Sequence, residues 1–173
     1  MESRQHIESE QIALVRENWR VVEQEEGTFI QDFYDRLFRI DPSTRKLFSD
    51  NMADQRQKFL AVIRTLIRHL DQPDDFRQVL GGLGGRHTHY GVQREHFESM
   101  RKALIETLEA QLGGRFTALH QEAWDDAFRA AAGLMTEAMP ETDPARNRTT
   151  LGQRVRQMLS RDDEPSEDNL GWS

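Results

Sequence analysis

Six histidines, two tyrosines and no cysteine define the chemistry open to this chain of 173 residues. The absence of cysteine excludes disulfide frameworks, thiolate zinc sites, iron–sulfur clusters and thiol catalysis together. Imidazole then leads the candidates for binding a metal, since a neutral ring nitrogen is its natural ligand atom. His87 lies near the end of an apolar helical pattern. By itself such a histidine is more often a core or surface residue than a ligand. His89 is two residues further on and so points to another face of the same helix. His6, His69, His96 and His120 have no comparable context, and His96 is expected on the exposed side of its helix beside an inward Phe97. Tyr34 and Gln55 carry side-chain hydrogen-bond donors. Taken alone, Tyr34 suits a core position with its hydroxyl reaching solvent, and Gln55 suits a solvated helix position.

The elements that must position these groups are helices. Ile12, Val15, Trp19 and Val22 recur at spacings of three and four, the mark of an amphipathic helix. After Gly27 a second segment carries Phe29, Ile30, Phe33, Tyr34, Leu37 and Phe38 on two adjacent rows, which predicts a wide apolar face and a central place. Asp41-Pro42 supplies an N-cap followed by proline at the first helical position, opening a short turn through Leu47 and Phe48. A helix from about Asp54 to Leu70 turns Phe59, Ile63, Leu66, Ile67 and Leu70 inward, and Asp71-Gln72-Pro73 breaks it. A shorter segment from about Asp74 to Tyr90 holds Phe76, Val79, Leu80 and Leu83. Two long helices follow, one with Phe97, Met100, Leu104 and Leu108, the other with Phe116, Leu119, Trp124, Phe128, Leu134 and Met135. Gly113-Gly114 separates them and Pro140 ends the second.

Residues 1–140 therefore read as one all-α domain, large enough to bury its own core. Residues 141–173 change to Asp, Arg, Ser, Thr and Pro and read as a polar tail. Leu151, Val155, Met158 and Leu159 could form one short amphipathic helix within it. No run of about 18 apolar residues exists, so no membrane span is expected. The polar start MESRQHIESEQ is unlike a signal peptide, which points to the cytoplasm. A formal charge of −7 argues against a nucleic-acid partner, which needs a basic footprint.

In order along the chain stand FYDRLF, RKLF, DQRQKFL and RHTHYGVQREHF. With these motifs the sequence resembles the globin family, specifically bacterial single-domain globins and the globin half of flavohaemoglobins, over about residues 7–140. The resemblance implies an all-α globin fold, six to eight helices around a pocket for haem b. It implies His87 as the iron ligand, with Tyr34 and Gln55 facing a bound gas. It places Phe48 against the haem and Phe59 one turn beyond the distal glutamine. Lys58 and Arg86 are its candidates for the haem propionates. The gases implied are dioxygen, nitric oxide and carbon monoxide. Their reversible binding, for oxygen storage, delivery or scavenging, is the function expected. A nitric oxide dioxygenase recycled by an external reductase, or a gas sensor acting through a partner, is the alternative. Oligomeric state is left open.

There are also departures from the flavohaemoglobin pattern. That family has a proximal tyrosine and glutamate that tighten the histidine and increase electron push. Here Phe97 stands at the tyrosine position, and the glutamate position falls near Met139, with Glu137 two residues off. Loss of those hydrogen bonds lowers histidine basicity and weakens O–O cleavage. Residues after 140 hold no Gly-rich dinucleotide fingerprint. Before the ligand, LGGLGGRH carries Gly81, Gly82, Gly84 and Gly85, each costing a helix about 0.8–1 kcal/mol relative to alanine. This predicts a segment that only cofactor binding fixes, unless the glycines serve close approach to a neighbour.

Overall fold

A computed structural model describes residues 7–48, 50–89 and 91–139; the side chains of 84–89 are not among the groups it describes. The expectations for the tail after 140, for His6 and Tyr90, and for the side chains of Arg86, His87 and His89 lie outside the described residues. Those that remain form six α-helices, with no strand among them. The helices are α1 (Ser9–Val22), α2 (Glu26–Ile40), α3 (Met52–Arg68), α4 (Pro73–His89), α5 (Arg94–Leu112) and α6 (Ala118–Glu137). Short 3₁₀ turns at Glu23–Glu25, Pro42–Leu47 and Gly113–Arg115 join neighbours. No described helix is long and apolar enough to cross a membrane.

Each helix starts and stops for local reasons. Glu8 and Gln11 form a reciprocal capping box at the head of α1, satisfying amides that have no partner within the helix. Asp41 caps the Pro42–Leu47 turn as its spacing predicts, its carboxylate accepting from the Ser43 amide at 3.1 Å. Gly113 ends α5 at a φ of +55°, a conformation that side chains with a Cβ rarely adopt. At its other end, the Gln93 amide donates to Nδ1 of His96 at 2.9 Å. That contact overturns the expected exposure of His96, which is buried because its ring folds back to cap the helix.

The core is a continuous apolar cluster to which all six helices contribute. α2 lies across α5, α1 and α4 both pack on α6, and α3 leans on α2. Phe29, Ile30, Phe33, Tyr34 and Leu37 are all buried, so α2 is central as its two apolar rows require. Its helix begins at Glu26 and passes through Gly27, two residues earlier than the sequence suggests. On α1, Ile12, Val15, Trp19 and Val22 are buried as their spacing predicts, and buried Asn18 accepts a 3.1 Å hydrogen bond from the indole of Trp124. Leu119 does not join the core: it is 65% exposed in the first turn of α6, and Phe116 precedes that helix.

Polar clamps fix the outer contacts. Arg16 of α1 donates to the carbonyls of Ile67 and Arg68 at the end of α3 and pairs with Asp71 at 2.8 Å. These carbonyls have no acceptor role within their own helix, so the guanidinium acts as a C-terminal cap. Arg101 joins α5 to α6 through Asp125 at 2.6 Å while also pairing with Glu98 at 2.7 Å. Arg64 bonds Glu26, tying the middle of α3 to the start of α2. Tyr34 meets Gln55 as well, so the second half of α2 and the first turns of α3 build one corner.

Candidate functional site

That corner is where the sequence concentrates its chemistry. α2 delivers Tyr34, 1% exposed, between Phe33 and the C-terminal turn of the helix. Rings surround it: Phe33 at 5.2 Å, Phe48 at 5.3 Å and Phe59 at 5.8 Å between centroids, each edge to face. Phe59 also stacks on Phe33 at 4.9 Å. Such geometries match the ring quadrupoles and hold the phenol in one orientation. Phe48 follows the Asp41-capped turn, and its backbone is pinned on both sides by Arg45: its amide donates to the Arg45 carbonyl at 3.3 Å and its carbonyl accepts from Nη1 at 3.2 Å. Asp41 adds a long-range tie by accepting from the Ser99 hydroxyl of α5 at 2.9 Å.

Gln55 enters from the first turns of α3, whose Asn51 cap accepts from the Asp54 amide at 3.4 Å. The Gln55 amide Nε2 donates to the Tyr34 hydroxyl oxygen at 3.3 Å. The hydroxyl is therefore an acceptor in this bond and keeps its own proton to give elsewhere. Burial pushes the Tyr34 phenol up to about 12, against the smaller opposing effects of the Gln55 bond and the Arg56 charge. The group is a neutral donor at any physiological pH.

α3 presents two rows at helical spacing. Leu60, Ile63 and Ile67 are buried against the rest of the domain. Met52, Gln55, Phe59, Val62 and Leu66, at steps of three and four, are only half-buried. A half-open apolar row headed by an amide, beside a buried phenol with a proton to give, suits a flat apolar guest carrying a small polar ligand. The backbone of α4 places His87 in its last turn. Gly81 and Gly82 of α4 have no heavy atom within 4 Å of where a Cβ would stand, so neither is there to permit close approach.

The other candidates divide. Phe97 is buried on α5, and Met139 is buried while Glu137 is exposed. Lys58 is exposed and pairs with Asp54 at 2.9 Å along its own helix. One residue was missed altogether: Arg56 heads the buried row of α3, directly after Gln55. Its signal was available in the spacing Arg56, Leu60, Ile63, Ile67, a cation in register with core positions.

Helix order and this corner define a globin. The globin family model matches residues 31–135, and the chain belongs to the globin family. It is similar to the flavohemoprotein of Bordetella pertussis, 27% identical over 126 residues, covering 71% of this chain and 31% of that protein. The flavohemoprotein of Bacillus subtilis is 23% identical over 129 residues, covering 73% and 32% of the two chains. That of Chromobacterium violaceum is 25% identical over 130 residues, covering 73% and 31%. The chain thus spans under a third of the length of these curated relatives.

Proposed function

We propose that this chain binds haem b through His87 and uses it to bind dioxygen and other diatomic gases, such as nitric oxide and carbon monoxide, reversibly. The observation that carries the reading is the Tyr34–Gln55 pair, a buried phenol whose hydroxyl accepts from an amide and retains its own proton. Haem iron, when bound, would supply an open coordination position for a gas. Tyr34 donates toward the gas, and Gln55 holds the hydroxyl in place while presenting its second amide hydrogen. Both groups are ordered in advance by packing, so little reorganisation is needed to stabilise developing negative charge. Phe48 and Phe59 supply apolar surface that excludes water from the same space.

Oxygen storage, delivery or scavenging is the use this arrangement suits. Phe97, buried where flavohaemoglobins have the proximal tyrosine, and Glu137, exposed and two residues from the glutamate position, are departures that favour binding over O–O cleavage. Nitric oxide dioxygenation would draw electrons from an external reductase. Lys58 serves a propionate only by leaving Asp54, a small cost for an exposed pair. Arg86 is the second propionate candidate, beside the ligand in sequence. We assign residues 1–140 to the gas-binding domain and 141–173 to a tail outside it.

The test is an absorption spectrum of the haem-loaded chain in ferric, ferrous and carbon monoxide forms, for wild type and His87→Ala. A strong Soret band with a five-coordinate ferrous form, lost or altered in the variant, is the expected result. A chain that takes up no haem specifically overturns the proposal.

A further inference from the structure

Arg56 is the charged group that the site described above does not use. It sits one turn before Leu60 on the row of α3 that faces the core, and its side chain is half-buried. Its Nε is buried with no hydrogen-bond partner among the described residues. Of the five other half-buried arginines described, four are neutralised: Arg16 by Asp71, Arg45 by Asp50, Arg64 by Glu26, Arg101 by Glu98 and Asp125. Arg36 lacks such a pair among the described residues, but it has no buried nitrogen left without a hydrogen bond. Among the described residues no carboxylate pairs with Arg56. Leaving that buried N–H unpaired has a cost, and a charge partly within the protein is screened less than one in water. Arg56 directly follows Gln55, whose amide bonds the Tyr34 hydroxyl at 3.3 Å, and its charge opposes the effect of burial on that hydroxyl.

We propose that Arg56 is a specificity-determining residue: a fixed positive charge behind the Tyr34–Gln55 pair that favours gases gaining negative charge on binding over those that do not. Dioxygen belongs to the first class and carbon monoxide to the second. The inference rests on the haem-globin reading. It differs from the role of Tyr34 and Gln55 because a charge acts through space, without a hydrogen bond to the gas. A charge-conserving substitution should therefore preserve it and a neutral one should not.

The experiment compares wild type, Arg56→Lys, Arg56→Leu and Arg56→Gln as full-length, haem-loaded protein. Two quantities are read: the infrared C–O stretch of bound carbon monoxide and the ratio of dioxygen to carbon monoxide affinity. The neutral variants should raise the stretching frequency, because a positive field at the ligand oxygen weakens the C–O bond. They should lower the affinity ratio about fourfold, the effect of a unit charge on half a charge roughly 10 Å away at an effective dielectric of about 20. Arg56→Lys should stay near wild type in both. Two neutral variants are included so that one folding failure leaves the comparison standing. An unchanged stretch and ratio in a neutral variant that binds carbon monoxide overturns this inference while leaving the haem reading intact. Failure of the wild type itself to bind carbon monoxide overturns that reading, and the inference with it.

Discussion

The Gln55 side chain donates to the Tyr34 hydroxyl, 3.3 Å away, and so fixes the direction in which that hydroxyl can give its own proton. The two residues are 21 positions apart and belong to two different helices, α2 and α3. Their roles are consequently unequal: one is the buried donor and the other both holds it and adds a second.

Replacing the donor should cost more than replacing its holder. Tyr34→Phe removes a hydrogen bond to developing charge, worth about 1.5–3 kcal/mol, so oxygen dissociation should accelerate about tenfold or more. Gln55→Leu should accelerate it less, and the double variant should fall short of the sum because the two residues share a bond. Stopped-flow displacement of oxygen by carbon monoxide measures all three; strict additivity would show that the pair does not act as a unit.

Tyr34 also predicts an alkaline signature. Its phenol ionises near 10 when unfolded and at about 12 in the folded chain. Raised this way, it contributes stability that is intact below pH 10 and is lost as pH rises toward 12. The difference in phenolate absorption between wild type and Tyr34→Phe should therefore show one group titrating near 12 in the folded protein. A difference centred at 10 would mean the hydroxyl reaches water.

Asp41 ties the Phe48 corner to α5. Bonds from Ser43 and then Ser99 hold its carboxyl below the usual carboxylate range. A lowered pKa gives stability that is present above about pH 4 and drains as pH falls through the lowered value. Asp41→Ala should cost about 1 kcal/mol through the lost cap and flatten the acid limb of the stability curve. Denaturant unfolding at pH 7 and pH 3 tests both parts, and an equal loss at the two pH values would contradict the second.

The glycines of α4 give an opposite prediction. Gly81 and Gly82 have open space where a Cβ would stand. Gly81→Ala and Gly82→Ala should each stabilise the helix by about 0.8–1 kcal/mol. Amide hydrogen exchange of the haem-free chain should slow across α4 in the double variant and approach the haem-loaded wild type. Equal protection of α4 in the wild type with and without haem would count against a segment fixed by its ligand.

How far the sequence alone reached is clearest at particular residues. Helical spacing at Ile12, Val15, Trp19 and Val22, two apolar rows on α2, and the Asp41-Pro42 and Gly113 signals were local, and local rules hold wherever a backbone must satisfy its own amides and bury one face. Tyr34, Gln55, Phe48 and Phe59 were legible as candidates because motif order carried them. Their convergence was not, since a hydrogen bond across two helices and rings packed edge to face on Tyr34 from α3 and the turn before it depend on how α2 and α3 meet.

His96 and Leu119 show the limit from the other side. Periodicity turned one outward and the other inward, and the structure reverses both: His96 is buried because its ring caps the head of α5, and Leu119 is exposed in the first turn of α6. Arg56 was visible as a cation in register with Leu60, Ile63 and Ile67, but not as one whose Nε is buried without a hydrogen-bond partner among the described residues, which is a fact of three dimensions. The sequence determined the helices, their faces and the chemistry available, since these follow from neighbours along the chain. Tertiary structure decided which hydroxyl is buried, which amide holds it and which charge lies behind them, since burial and pairing arise only when distant segments meet.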